Sequence, residues 1–196
     1  MIPKMQLLPT RWPHSTGSRP RLTTLVLVLA LLAAACADGA GGSDATGDNA
    51  PPIATDGPDL PDLILTDFEG EEVALHDLVG TPMVVNFWAS WCPPCAAEMP
   101  DFEAVSQEAG GAVAFVGINT SDRDNLALDL VDRTGVTYDL LRDPDGTAFR
   151  AFRSFGMPTT AFVDADGIIV NSHTGILTRD ALAGEIERWL GVEVGP

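Results

Sequence analysis

Past residue 36 the chain contains no lysine, and seven arginines stand against all 28 aspartates and glutamates. Without lysine in that stretch, Schiff-base and P-loop chemistry are excluded from it. So acidic a surface repels phosphate backbones, which excludes nucleic acid as a partner, and it suits anionic lipid headgroups poorly. Cysteine is nearly as scarce, with three in 196 residues. That number cannot build a disulfide-stapled mini-protein. No internal repeat is visible. What remains is ordinary: a hydrophobic content of 45% is globular, and the length suits one domain with appendages.

The remaining basic residues, Lys4, Arg11, Arg19 and Arg21, lie in the first 36 residues, which hold no acid. Arg19 and Arg21 precede an apolar run from Leu22 to Ala35, ended by small residues and Cys36. A basic segment, a short apolar segment and a small-residue site make a secretory signal over 1–35. The run is short of the ~20 residues that span a bilayer. The arrangement resembles a bacterial lipoprotein signal, which implies that Cys36 is lipidated and becomes the mature N-terminus. It departs from that pattern at Ala33, where such signals carry leucine, with Leu32 one residue earlier. A plain cleavage near Ala35 is the alternative. Both readings put the protein outside the cytoplasm, where disulfides form, either lipid-anchored on the outer face of the bacterial cell membrane or secreted. Residues 36–60 read as the anchor and a linker. Ala37 to Pro58 is nearly all small and polar, with Ile53 its only large apolar residue. Such a stretch reads as a flexible tether with a reach of roughly 25 Å.

A regular pattern occupies 61–191, followed by a short tail over 192–196. Leu63–Leu65 and Val73–Leu75 flank Glu69-Gly70 as a hairpin. Met83–Trp88 is the continuous apolar run of a central parallel strand. Pro93–Ala109 has a helical composition with Pro100 inside it, and Ala112–Ile118 is a second buried strand. Arg123–Thr134 is amphipathic, with Leu126, Leu130 and Val131 on one face and Gly135 as its stop. Tyr138–Leu141 reads as a strand and Thr147–Phe152 as a short helix. Thr159–Val163 and Ile168–Ser172 are strands joined by Asp164-Ala165-Asp166-Gly167, and Thr178–Leu190 is a closing helix ended by Gly191. The order β-hairpin, β-α-β-α-β-α, β-β-α predicts an α/β fold with a mixed central sheet flanked by helices.

The chemistry concentrates where Asn86-Phe87-Trp88-Ala89-Ser90-Trp91 leads into Cys92-Pro93-Pro94-Cys95, a strand end entering a helix start. Two cysteines at this spacing can close a disulfide across the first helical turn. At the helix N-terminus, free N–H groups and the dipole favour a Cys92 thiolate. Cys92 is therefore the attacking sulfur, and Cys95, one turn in and less exposed, the resolving one. Pro93 and Pro94 cost the helix little there but remove two donors from the Cys92 sulfur. No His or Lys adds positive charge between the cysteines. This predicts a modestly lowered Cys92 pKa and a reducing couple.

Trp91-Cys92-Pro93-Pro94-Cys95, followed by Glu98 and Pro100, resembles the thioredoxin superfamily, in particular the extracytoplasmic TlpA/ResA type of thiol–disulfide oxidoreductase. The likeness covers about Pro61 to Leu190. A second match is Gly156-Met157-Pro158-Thr159 before a strand. The resemblance implies a thioredoxin-like fold with an added N-terminal hairpin and a central insertion over Gly117–Arg142. It implies a cis Pro158 facing the cysteines, and a substrate platform of Trp91, Pro93, Met157, Pro158 and Thr159. It implies no bound cofactor and no metal. Its partners would be protein disulfides, apocytochrome c among them, and a membrane thiol–disulfide electron donor. Asn86 stands where thioredoxin carries a buried Asp, and Glu98 is the family's alternative carboxylate. At i+3 from Cys95 it can take the Cys95 proton, with its pKa raised by partial burial.

Several alternatives accompany this reading. An oxidase forming disulfides in exported proteins uses the same residues. Peroxidases on this scaffold carry Thr three residues before the attacking Cys, where this chain has Ala89. Copper-delivery relatives use Cys-x-x-x-Cys plus a His; the spacing here is one short, although His173 is present. A zinc half-site needs a second ligand pair, and only His76 and His173 are offered. Both histidines read as hydrogen-bonded structural residues. Trp88 reads as core, and Asp143-Pro144-Asp145-Gly146 as a turn.

Overall fold

The computed structural model describes residues 57–195, so Cys36, the signal and most of the linker lie outside the described residues. The hairpin forms from β1 (Ile64–Asp67) and β2 (Glu72–Ala74), and a 3-10 turn follows at Leu75–Leu78. After it come β3 (Met83–Trp88), α1 (Pro93–Ala109), β4 (Ala114–Thr120), α2 (Asp124–Thr134), β5 (Asp139–Asp143), α3 (Thr147–Ala151), β6 (Thr159–Val163), β7 (Ile169–Thr174) and α4 (Arg179–Leu190). The sheet order is β2-β1-β5-β4-β3-β6-β7. Strands β3, β4 and β5 run parallel, while β1, β6 and β7 add antiparallel edges. The predicted mixed α/β architecture is therefore the one observed, and the expected insertion supplies α2 and β5 between β4 and the rest.

Strand β3 is buried at every position, because α1 and α4 cover one of its faces and α3 with the Leu75–Leu78 turn the other. Side-chain alternation divides it. Met83, Val85 and Phe87 join Leu65, Ile118, Leu141 and the α3 aromatics on one face, with Phe87 edge-on to Phe149 and Phe152. Val84 faces α1 and α4 with Phe102, Val105, Phe162 and Ile186. A third cluster, Trp88, Ala89, Cys92, Cys95, Met99, Ala127 and Leu130, packs α1 and α2 over the end of β3. Trp88 is core, as expected.

Local signals set the helix ends. Thr178 caps α4 through Ala181 N at 3.4 Å, and Gly135 and Gly191 end α2 and α4 in the left-handed region. Helix α1 continues across Pro100. Strands β4 and β5 run two residues past their predicted ends. The added residues Asn119, Thr120, Arg142 and Asp143 are polar, so apolar patterning stops short of them, yet Asn119, Thr120 and Asp143 are buried. On α2 the buried residues are Ala127 and Leu130, with Leu126 and Val131 only half covered.

The domain also takes in residues that the sequence assigned to the linker and the tail. Asp59 bridges Ile168, Ile169 N donates to the Pro58 carbonyl, and Leu60 is buried in the core. Val192 and Val194 pack against the α1–α4 cluster. Edge pairing with β7, more than 100 residues away, holds 58–60, and no local pattern announces it. Among the described residues, no helix is long and apolar enough to cross a membrane.

Candidate active site

Cys92 is the N-cap residue of α1, with Pro93 at the first helical position. Its extended backbone (φ −103°, ψ 97°) ends the loop from β3, and its sulfur accepts from Cys95 N at 3.3 Å. That is the one donor left after two prolines, as the sequence implies. The two Cα atoms lie 5.3 Å apart and the sulfurs are bonded at 2.03 Å. Such a separation is bridgeable without moving the backbone. Cys95 is fully buried and Cys92 retains 4% exposure, so a partner can reach only the first.

Glu98 lies on the same helix, 1% exposed. Oε1 accepts from Asn86 Nδ2 at 2.9 Å and Oε2 from Leu177 N at 3.0 Å. Burial pushes its pKa up to about 7, against the pull of those two donors and with a further push from Asp101. Asn86 Nδ2 also donates to Thr160 Oγ1 at 3.2 Å, while its buried Oδ1 has no partner.

The Met157–Pro158 bond is cis. Met157 packs against the cluster that contains both cysteines, and the Pro158 carbonyl accepts from Gly175 N at 2.9 Å. Thr159 Oγ1 donates to the Gly156 carbonyl at 2.6 Å and so stiffens the loop before Pro158. Trp91 is 57% exposed beside Cys92, and Pro93 is exposed. Of the expected residues, Cys92, Cys95 and Met157 share one cluster, Glu98 lies on the cysteines' helix, Trp91 and Pro93 flank Cys92, and Pro158 and Thr159 continue the Met157 segment; Cys36 lies outside the described residues. His76 is exposed and His173 half-buried on β7, and among the described residues neither side chain makes a hydrogen bond, contrary to expectation.

The AhpC/TSA family model matches residues 57–172. The chain belongs to the AhpC/TSA family. The thiol–disulfide oxidoreductase ResA of Halalkalibacterium halodurans is 32% identical to it over 127 residues, 64% of this chain and 72% of that protein. A secreted Mycobacterium tuberculosis disulfide oxidoreductase homologous to Escherichia coli DsbE superposes with a TM-score of 0.59 at 28% identity, over 64% of this chain and 94% of that one. The exposed lipoprotein thioredoxin Etrx1 of Streptococcus pneumoniae gives 0.55 at 28% identity, over 65% and 98%. This AhpC/TSA member is a thiol–disulfide oxidoreductase of the ResA and DsbE type.

Within this AhpC/TSA protein, Ala89 is fully buried and gives the Cys92 N–H only its carbonyl, at 3.1 Å. No hydroxyl stands at the position where the peroxidases on this scaffold carry threonine. Sequence reasoning missed a second carboxylate. Asp122, just past β4, accepts from Ser90 N, from Ser90 Oγ at 2.7 Å and from Asn119 Nδ2 at 3.1 Å. The available signal was a polar cluster at the carboxyl end of a parallel strand, where α/β sheets place their sites. Asp143 was read as a turn residue. It does open that turn, but its buried carboxylate also caps α3 through Ala148 N and Phe149 N, each at 3.0 Å.

Proposed function

We propose that this oxidoreductase works as a reductase of protein disulfides outside the cytoplasm, held at the membrane by a lipid on Cys36. The observation that carries the reading is the electrostatic setting of Cys92. Its sulfur has one backbone donor, and the ionisable side chains tied to its loop and helix, Asp122 and Glu98, are acidic. Strong oxidants owe their potential to a stabilised thiolate in the reduced form. Beyond the helix N-terminus itself, no cationic side chain among the described residues bonds to the Cys92 loop.

In the forward reaction the Cys92 thiolate attacks a substrate disulfide and releases one substrate sulfur as thiol. Glu98, with its pKa near neutrality, takes the Cys95 proton, and Cys95 attacks the mixed disulfide. The products are a substrate dithiol and the Cys92–Cys95 disulfide, two electrons having passed to the substrate. A membrane dithiol donor then reduces the pair again. Trp91, Pro93 and the Met157-Pro158-Thr159 segment form the substrate platform, and the resemblance makes apocytochrome c a candidate substrate. The lipoprotein character of the pneumococcal relative supports the anchor.

Equilibration with glutathione or dithiothreitol buffers tests the direction of transfer. A potential near about −270 mV, the thioredoxin range, is expected, and one near about −120 mV would make the protein an oxidant and overturn the reading. A Cys95→Ala variant should retain its natural partner as a mixed disulfide through Cys92, which mass spectrometry of the complex identifies.

A further inference from the structure

The loop that carries Cys92 is tied down from outside by consecutive residues of the β4–α2 turn. Both carboxylate oxygens of Asp122 are occupied. Oδ2 accepts from Ser90 N and Asn119 Nδ2, and Oδ1 from Ser90 Oγ at 2.7 Å and Arg123 N at 2.8 Å. The preceding residue, Ser121, takes φ 51°, a left-handed value unusual for a non-glycine. In that conformation its carbonyl accepts from Trp91 Nε1 at 3.1 Å. Two neighbours in the turn therefore hold two neighbours in the catalytic loop. Burial alone would raise the Asp122 pKa, but its donors, Ser90 N first, outweigh that and keep the carboxyl below its ordinary value. The carboxylate is therefore charged at neutral pH.

We infer that Asp122 is a positioning residue that fixes the Ser90–Cys92 loop and, through its charge, limits how much of Cys92 is thiolate. One residue, Trp91, separates Ser90 from Cys92, so their Cα atoms are at most about 7 Å apart and the charge lies within roughly 14 Å of the sulfur. At an effective dielectric of about 20, a full charge at that range raises a thiol pKa by about one pH unit. The other ionisable groups around the Cys92 cluster are few. Glu98 lies on α1, Tyr138 is kept neutral by burial, and Arg123 faces solvent. Asp124 is neutralised by Arg142 at 2.7 Å. The insertion between β4 and β5 thus tunes the reactive sulfur through its first turn. This inference rests on the reading that Cys92 is the attacking thiol.

The test is the pH dependence of iodoacetamide alkylation of Cys92, measured in a Cys95→Ala background so that one thiol reports. Asp122→Asn is expected to lower the Cys92 pKa by about one unit and to speed alkylation severalfold at pH 7. Asp122→Glu and Ser90→Ala keep the charge and should leave the pKa unchanged. An unshifted pKa in Asp122→Asn, or an equal shift in Ser90→Ala, overturns the inference by making the contact purely structural. Salt supplies a measurement that needs no change at Asp122: with that residue intact, the Cys92 pKa falls as ionic strength rises. A pKa indifferent to salt overturns the inference. A Cys92 that fails to alkylate at any pH sinks the reading of Cys92 as nucleophile instead.

Discussion

Replacing Glu98 with glutamine will change how stability depends on pH, and the structure sets the size of the change. Folding moves the Glu98 pKa from 4.5 to about 7, burial being the main cause. A carboxyl whose folded pKa is raised prefers its protonated form in the native state. Its contribution is fully present below pH 4.5, declines as pH rises and is lost above pH 7. The full span corresponds to about 3 kcal/mol, of which roughly 2.5 falls between pH 5 and pH 8. A glutamine side chain cannot ionise, so the variant lacks this decline. It also loses one hydrogen bond, because the new amide nitrogen must face either Asn86 Nδ2 or Leu177 N, and that loss of about 1 kcal/mol is independent of pH. The assay is urea unfolding of the oxidised protein, in which neither cysteine titrates, at half-unit steps from pH 4.5 to 8.5. Stability of the wild type relative to Glu98→Gln is expected to fall by about 2–3 kcal/mol across the range, most steeply between pH 5 and pH 7. Parallel curves for the two proteins would refute the argument, since a carboxyl with an ordinary pKa leaves no such difference.

Two further outcomes follow from burial. Leu60→Ala should cost about 3 kcal/mol in urea unfolding, because Leu60 is 2% exposed inside the core; a loss below about 0.5 kcal/mol would return residues 58–60 to the linker. Phe155, 88% exposed two residues ahead of Met157, should contribute nothing to stability. Phe155→Ser is expected to raise KM for an unfolded protein disulfide severalfold while leaving oxidation by glutathione disulfide unchanged, as a side chain touching only a protein substrate would, and equal effects on both substrates would show that it makes no such contact.

Much of this protein could be read locally. The helix entry at Cys92-Pro93-Pro94-Cys95, the Thr178 cap, the glycine stops and the unbroken apolar run of β3 act through neighbours within a few residues, so their physics is present in any short window of sequence. They were enough to set the element order and the mixed sheet and to point to Cys92 as the attacking sulfur. Only the tertiary structure decided the fate of the polar groups. Apart from the family resemblance, nothing near Glu98 in the chain marks it off from any helix acid; Asn86, 12 residues away, and Leu177, 79 away, close over it. Asp122 becomes part of the cysteine loop through Ser90, 32 residues distant. Leu60 enters the core because β7 offers it an edge. A charge in water and the same charge in a packed interior have the same letter; what separates them is desolvation, and desolvation exists only once distant segments have met.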